Sequence, residues 1–169
     1  MINDQYPVGS FICPENISQD QIQIWIHELS LFPAKLLEVI ANVTEEEEDL
    51  TYRFGGWSVR QIVHHIADSQ INAFTRIKLA LTEDIPMISP YDESAWAEQA
   101  DYELPMAISI SIIAGIYERT VTLLSSLTNE QLQKPFYHPT NGITALAEYI
   151  GFCVWHSYHH LAHIDNAIH

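Results

Sequence analysis

The segment Gly55-Gly56-Trp57-Ser58-Val59-Arg60-Gln61 carries a specific signal for the start of a helix. Ser58 is a residue type favoured at the N-cap, and Gln61 follows it by three positions, which is the spacing of a capping box. Apolar residues then recur at helical spacing as far as about Leu81, ahead of Thr82-Glu83-Asp84-Ile85-Pro86. We therefore predict a long helix from Ser58 to about Leu81, the second in the chain.

Three further helices are predicted from the same periodicity. The first runs from residue 18 or 19 to about 42, and Pro33 should kink it or break it into two. The third spans roughly 105–127 and the fourth roughly 144–167. No strand pattern competes with them. Four long amphipathic helices predict an all-α fold, a four-helix bundle, with residues 1–169 forming a single domain.

Residues 82–104 form a long connection between the second and third predicted helices. This connection contains Pro86, Pro90 and Trp96, and we expect it to be ordered, with one helical turn. Long connections without structure are uncommon in compact domains, and those that occur are often functional. The length of this connection also allows a crossover in place of simple up-down order.

The composition excludes several classes of protein. Seven basic residues against 22 acidic ones give a formal net charge of −15, which repels the phosphate backbone of a nucleic acid. The N-terminus lacks the pattern of a signal peptide, and no stretch approaches the roughly 18 consecutive apolar residues of a membrane span. The two cysteines, Cys13 and Cys153, do not suggest a disulfide framework. We expect a cytoplasmic protein with neither a nucleic-acid nor a membrane partner.

Four histidines lie close together in Trp155-His156-Ser157-Tyr158-His159-His160-Leu161-Ala162-His163. His156 and His160 are four residues apart, and so are His159 and His163, so each pair points to one side of a helix. A third imidazole from another helix would complete a three-histidine metal site of the catalytic kind. An exposed helix end rich in histidine accounts for the spacing equally well.

Helical angles indicate which histidines face the core. His156 and His160 share a face with Tyr149 and Phe152, whereas His159 lies beside Glu148, so the more apolar company favours an inward His156/His160 pair. On the second predicted helix, His65 belongs to a polar stripe that fits either a solvent-exposed face or one wall of a polar cleft. The other members of the stripe are Gln61, Ser69, Asn72 and Arg76.

The segment Gly55–Ser69 resembles helix two of the DinB-like superfamily, and within it the YfiT-type metal-dependent hydrolases, also described as bacillithiol transferases. The resemblance continues through four further stretches and the start of the chain, and so covers nearly all of it. The stretches are 76–84, 90–98, 138–139 and 155–164, and the start comprises 6–9 and 14–17. The sequence departs from the family pattern at Gln70, where many relatives have histidine, and at Ser157-Tyr158, which replaces a glycine and a basic residue.

The resemblance implies a four-helix bundle that binds one divalent metal ion per chain, zinc or nickel, through His65, His156 and His160. His163 then stands behind the ligands, and roughly ten ångströms of helix rise separate it from His156. Rival helical metal sites lack their motifs here, since the sequence has neither the Glu-x-x-His of di-iron proteins nor the His-Glu-x-x-His of zincins.

The predicted function is that of a metal-dependent enzyme in which the ion activates a nucleophile for attack on a small electrophilic substrate. The nucleophile is a low-molecular-weight thiol, as in a bacillithiol-type transferase, or water, as in a hydrolase. Gln61, Asp68 and Asn72 are candidates for orienting the ligands. Arg76 is a candidate for holding an anionic group of the thiol or substrate, and a surface ion pair is the alternative role for it. The alternative is a non-enzymatic bundle that binds a metal or a small ligand.

We also expect a homodimer of two-fold symmetry. The related proteins are described as dimers, and tryptophans at positions 57, 96 and 155 suit burial between two chains.

Overall fold

The structure is a computed structural model that describes residues 3–169, and four long helices dominate it. The helices in chain order are α1 (Gln19–Ile40), α2 (Val59–Thr82), α3 (Glu93–Ala97), α4 (Met106–Ser125), α5 (Asn129–Leu132) and α6 (Leu146–Ile168). Two short strands, β1 (Pro135–His138) and β2 (Gly142–Ala145), lie between α5 and α6, and 3₁₀ turns occupy Glu47–Asp49 and Ala100–Glu103. The predicted all-α four-helix bundle is confirmed.

The capping box at the start of α2 forms as the sequence predicts. The Ser58 hydroxyl accepts a hydrogen bond from the Gln61 backbone N–H at 3.2 Å, and the Gln61 side chain accepts one from the Ser58 backbone N–H at 3.0 Å. Two N–H groups that the helix itself leaves without partners are thereby satisfied. This local chemistry fixes where α2 begins, and with it the position of every side chain along the helix.

Helix α1 continues through Pro33 without a break, so of the two outcomes expected there, a kink or a break, the break does not occur. Proline removes one backbone donor and crowds the preceding turn. Residues on both sides of it, Leu29, Phe32 and Leu36, are nonetheless buried on a single face of the helix. Packing of that continuous face favours one unbroken helix over two separate ones.

The first two long helices of the chain are not neighbours in the bundle. Both α1 and α2 pack against α4 and α6, so α1 and α2 occupy opposite corners of the bundle. Helix α2 runs parallel to α4, because His64 hydrogen-bonds Ser109 near the start of both helices and Gln70 bonds Thr120 further along. The connection that joins α2 to α4 must therefore return along the bundle, which is the crossover that its length allows.

Helix α2 runs antiparallel to α6. His65, near the start of α2, contacts His160 late in α6, whereas Arg76, near the end of α2, contacts Tyr149 early in α6. The two helices therefore bring the first turns of α2 to the middle and second half of α6. That is where the histidines of both helices lie.

The expectation that the chain contains no strands is wrong. Strands β1 and β2 form an antiparallel hairpin in which Pro135 pairs with Ala145 and His138 with Gly142. Tyr137 also exchanges backbone hydrogen bonds with Pro86 and Ile88 of the crossover connection. Strands of four residues are too short to show a clear alternation of apolar and polar residues. This hairpin also depends on hydrogen bonds to the crossover connection, and sequence periodicity cannot predict such long-range contacts.

Helix α4 is, by length and composition alone, apolar enough to cross a membrane, with a mean hydropathy of 1.4 over its most apolar window. In the bundle it packs between α1 and α2, and Tyr117 stacks on Phe32 of α1 at 5.0 Å between ring centroids. Its Ile108 and Ile112 remain exposed. The helix thus contributes to the core along one face and leaves an apolar face outside.

Replacing the N-cap serine should weaken the fold measurably. We expect Ser58→Ala to lower the free energy of unfolding by about 1 kcal/mol, because the first turn of α2 loses its side-chain acceptor. The corresponding fall in Tm is about 2–4 °C for a chain of this size. Ser30→Ala is the matched control, since Ser30 is exposed inside α1 and bonds only its own helix. Calorimetry that finds equal losses for the two variants contradicts the prediction.

Candidate metal centre

Three histidines from two helices converge between α2 and α6. One ring nitrogen each from His65, His156 and His160 lies within 4.8 Å of the others, and the Nε2 atoms of His65 and His156 are 3.2 Å apart. His65 and His160 are buried, and His156 is half-buried at the edge of a cleft. The structure thus brings together the three residues that the resemblance implies as ligands.

Burial keeps these imidazoles neutral. It lowers the pKa of His65 to about 4, and it lowers the pKa of His156 and of His160 well below the ordinary value. Mutual repulsion among the neighbouring imidazoles adds to this effect. A metal ligand must be unprotonated, so the cluster presents histidines in the form that binds a metal at neutral pH.

His163 orients the ring of His160 from behind. Its Nε2 lies 3.2 Å from the carbonyl oxygen of Gln5, which can only accept a hydrogen bond, so Nε2 carries the proton of a neutral His163. Its Nδ1 is then an acceptor for the Nδ1–H of His160, 3.4 Å away. This chain of hydrogen bonds leaves the Nε2 of His160 with a free lone pair.

The donor set fits a divalent cation. The Nε2 atoms of His65 and His156 face each other without a protein group between them, and two bare lone pairs at that distance repel unless a proton or a cation lies between. Three neutral imidazoles are the ligand set of catalytic zinc sites, and imidazole also suits nickel, copper and iron.

Aromatic rings hold the cluster in place. Trp57 packs against His65 with ring centroids 4.7 Å apart and lies nearly parallel to His160 at 6.1 Å. Tyr52 stacks on His163 at 3.9 Å, and Phe152 lies 5.9 Å from His156. These rings restrict the imidazoles to few rotamers and lower the polarity around them.

Gln61, Asp68 and Asn72 are engaged away from the histidine cluster, contrary to the role that the sequence suggests for them. Gln61 closes the capping box and donates to the Ala97 carbonyl, and Asn72 donates to the backbone of its own helix. Asp68 accepts a hydrogen bond from Tyr102 at 2.8 Å. Since each faces the crossover connection or its own helix, these side chains brace α2 and do not reach the candidate ligands.

The two remaining histidines of the motifs lie outside the cluster. His64 donates from Nε2 to the Leu104 carbonyl at 2.9 Å and accepts from the Ser109 hydroxyl at 2.7 Å, so it faces α4. His159 is buried between Trp155 and Tyr6, at 4.7 and 5.7 Å between centroids. Helical angle grouped His156 with His160 and set His159 apart, as in the cluster. The inference that the pair is the more buried is wrong, since His159 is buried and His156 is only half-buried.

Two clefts meet at the cluster. The larger, about 650 Å³, lies between α2, α6 and the hairpin, and the smaller, about 460 Å³, lies between the N-terminal segment and residues 52–57. Both are lined by Glu93, Trp155 and His156. Of the three candidate ligands, His156 lines both clefts, whereas His65 and His160 line only the smaller one. A ligand in the larger cleft therefore meets the cluster at His156.

Arg76 lines the larger cleft. Its guanidinium donates to the Tyr149 hydroxyl and to the Ser89 carbonyl, both at 3.3 Å. Within residues 3–169 it forms no ion pair with a carboxylate. Because Ser69 and Arg76 line the larger cleft and His65 lines the smaller, this part of the polar stripe on α2 is a cleft wall and not a solvent-exposed face.

The sequence reasoning missed Glu93 and His138 as lining residues of the larger cleft. Both lie in stretches that carry the family resemblance, but neither stands at helical spacing from a candidate ligand. Only the crossover and the hairpin bring them to the site.

Comparison with known proteins is consistent with this geometry. The family model of the DinB superfamily matches residues 28–164. A protein of Halalkalibacterium halodurans named "Putative metal-dependent hydrolase" is 41% identical over 99% of this chain and 98% of its own length. One of the same name from Bacillus cereus is 44% identical over 98% and 96%.

A solved structure is similar throughout. YfiT from Bacillus subtilis, described as a probable metal-dependent hydrolase with an unusual four-helix bundle topology, superposes with a TM-score of 0.93 at 44% identity. The match covers 96% of this chain and 94% of that one.

We expect the metal-free protein to lose stability as the pH falls from about 6.5 toward 4. In that range His65 takes up a proton in the unfolded chain but stays neutral in the folded chain, where its pKa is about 4. Protonation therefore favours the unfolded state. His65 alone then accounts for a loss on the order of 3 kcal/mol. Urea unfolding across this pH range measures it. His65→Asn should flatten the pH dependence, and the exposed His27→Asn should not; equal slopes in all three proteins contradict the prediction.

Proposed function

We propose, on the premise that this chain belongs to the DinB superfamily, that it is a metal-dependent enzyme whose divalent ion is held by His65, His156 and His160. One observation carries the proposal: three neutral imidazoles converge where two clefts meet. The names of the relatives support it, since they describe metal-dependent hydrolases. Zinc or nickel is the proposed ion.

Such an ion, bound by three imidazoles, keeps coordination positions open and lowers the pKa of a water or thiol placed there. The chain's own residues do the rest. Trp57, Phe152 and His163 hold the imidazoles in orientation. Arg76 in the larger cleft binds an anionic group of a ligand, which holds the reacting end near His156.

The nucleophile we favour is a low-molecular-weight thiol that attacks a small electrophile, with attack by water as the second candidate. Two clefts at one metal centre accommodate two co-substrates, which thiol transfer requires. Hydrolysis is favoured by the names of the relatives. A non-enzymatic metal- or ligand-binding role is the remaining alternative, and absence of turnover would favour it.

We also propose that the protein is a homodimer. Of the tryptophans considered for an interface, Trp57 and Trp155 line the clefts, while Trp96 is partly exposed and packs on Tyr91. The exposed Ile108 and Ile112 of α4 offer an apolar surface in addition.

Removal of any one candidate ligand should abolish metal binding. We expect His65→Ala, His156→Ala and His160→Ala each to lose most of the single ion per chain, since two imidazoles hold a divalent ion far more weakly than three. Elemental analysis after dialysis measures the stoichiometry. His64→Ala is the control, because His64 faces α4 and should leave the ion in place. Loss of the ion from that variant, with retention in the other three, would mean that the ligands are assigned wrongly.

Activity should require the ion. We expect the metal-loaded protein to conjugate a thiol to a soft electrophile such as a haloarene or an epoxide. The rate should disappear on chelation and return when the ion is restored. Thiol consumption, followed by chromatography of the product, is the measurement.

Cleavage of esters or amides without any thiol, with a rate that rises through about pH 7, would replace transfer by hydrolysis. Reaction at the uncatalysed rate across several thiols and electrophiles would instead favour the non-enzymatic alternative.

Light scattering at micromolar concentration should find twice the chain mass of 19.3 kDa. Ile108→Glu together with Ile112→Glu should reduce the mass to one chain if α4 forms the interface, because two charges oppose burial of that face. A single 19.3 kDa species for the unaltered protein would remove the dimer proposal.

A further inference from the structure

His138 stands at the end of β1 with its ring fixed by the turn of the hairpin. Its Nδ1 accepts hydrogen bonds from the backbone N–H groups of Thr140, at 3.1 Å, and of Asn141, at 3.4 Å. A ring nitrogen that accepts two N–H groups cannot carry a proton itself. The proton of the neutral ring is therefore on Nε2, and His138 lines the larger cleft as a hydrogen-bond donor.

The surroundings keep His138 neutral. Burial lowers its pKa first, the positive charge of Arg76 lowers it further, and Glu93 acts in the opposite direction. The backbone brings the two side chains to the same part of the cleft. Arg76 donates to the Ser89 carbonyl, and Ile88, the residue before Ser89, bonds Tyr137, the residue before His138. Both side chains line the larger cleft. The hydrogen bonds to Nδ1 alone place the proton on Nε2. The lowered pKa is consistent with a neutral ring that carries this one proton.

Arg76 keeps donors available beside His138. A guanidinium has five N–H groups, and Arg76 uses two of its nitrogens on Tyr149 and Ser89. Both partners are neutral, so the positive charge stays uncompensated within residues 3–169. Held from two sides, the guanidinium is preorganised for a planar anion.

The acidic side chains around the cleft limit the number of negative charges that a bound ligand can carry. Glu93 and Glu148 line the same cleft, and the chain as a whole carries a net charge of −15. A ligand with several negative charges would be repelled by these carboxylates. A ligand with a single carboxylate between Arg76 and His138 would accept hydrogen bonds from both side chains. Glu93 and Glu148 would repel it less than a ligand with several negative charges.

We propose that Arg76 and His138 form a carboxylate-binding subsite in the larger cleft, for a ligand that bears one carboxylate at the end opposite its reactive atom. The proposal rests on the proposed function, because it places the reactive atom at His65, His156 and His160. Tyr149, which holds Arg76, precedes His156 by seven residues, or about 10 Å of helix rise. The ligand is thus extended over about that length, close to three residues of a peptide.

The test uses two peptide thiols of matched size, N-acetyl-cysteinyl-glycyl-glycine as the free acid and as its C-terminal amide. Calorimetric titration of the Zn²⁺-loaded protein should find about tenfold tighter binding of the acid, which is the range for charge-assisted hydrogen bonds. In His138→Asn, the asparagine side-chain oxygen can replace Nδ1 as acceptor for the backbone N–H groups of the turn. The Nε2–H that would donate to the ligand is lost. We expect this variant to reduce the preference for the acid about fivefold and to bind the amide as before.

Arg76→Gln should abolish the preference altogether. Equal binding of acid and amide by the unaltered protein would overturn the subsite, as would loss of both ligands together in His138→Asn. Tighter binding of a probe with aspartate as its last residue would overturn the restriction to one carboxylate.

Elemental analysis of the same samples distinguishes failure of the proposed metal site from failure of the carboxylate subsite. A protein that holds no ion contradicts the proposed function, yet the difference between acid and amide still tests Arg76 and His138. A protein that holds one ion but does not distinguish acid from amide contradicts the subsite alone.

Discussion

The antiparallel contact of α2 with α6 is the interaction on which the candidate site depends. It places an early turn of α2 against the middle and second half of α6, so that His65 meets His156 and His160. The same contact places Arg76 against Tyr149 at the other end of the cleft. One helix pair therefore fixes both the position of the histidines and their separation from Arg76, whose guanidinium lines the larger cleft. A shift of α2 by one turn would separate all of these partners together.

Burial of so many imidazoles has a cost that the surroundings offset only in part. Tyr52, Trp57 and Trp155 cover the rings with apolar surface, and the Gln5 carbonyl satisfies His163. Among residues 3–169 the buried Nδ1 atoms of His65 and His159 find no hydrogen-bond partner, and such groups destabilise a fold by about 1–3 kcal/mol each. Energetically unfavourable groups tend to be retained at functional sites. The buried, unpaired imidazole nitrogens lie around the point at which both clefts meet.

Much of this organisation could be predicted from the sequence, and the failures have a common cause. The capping box fixed the start of α2, and helical spacing separated His156 and His160 from His159. Periodicity assigns a residue to a face of its own helix but does not say which segment covers that face. Gln61 and Asn72 share a stripe with His65, yet their hydrogen bonds are to Ala97 and Asp68. For the same reason the hairpin and His138 were not foreseen, because both depend on contacts with the crossover connection.

The N-terminal segment borders both clefts without belonging to the core. Gln5 and Tyr6 line the smaller cleft and Phe11 lines the larger, while the Trp155 indole donates to the Gly9 carbonyl and ties the segment to α6. Between residues 3 and 18 no side chain is buried. Substitutions in this stretch can therefore reshape the mouths of both clefts at little expense to folding. Ligand preference in such a protein can diverge through its first dozen residues while the bundle and its histidines stay unchanged.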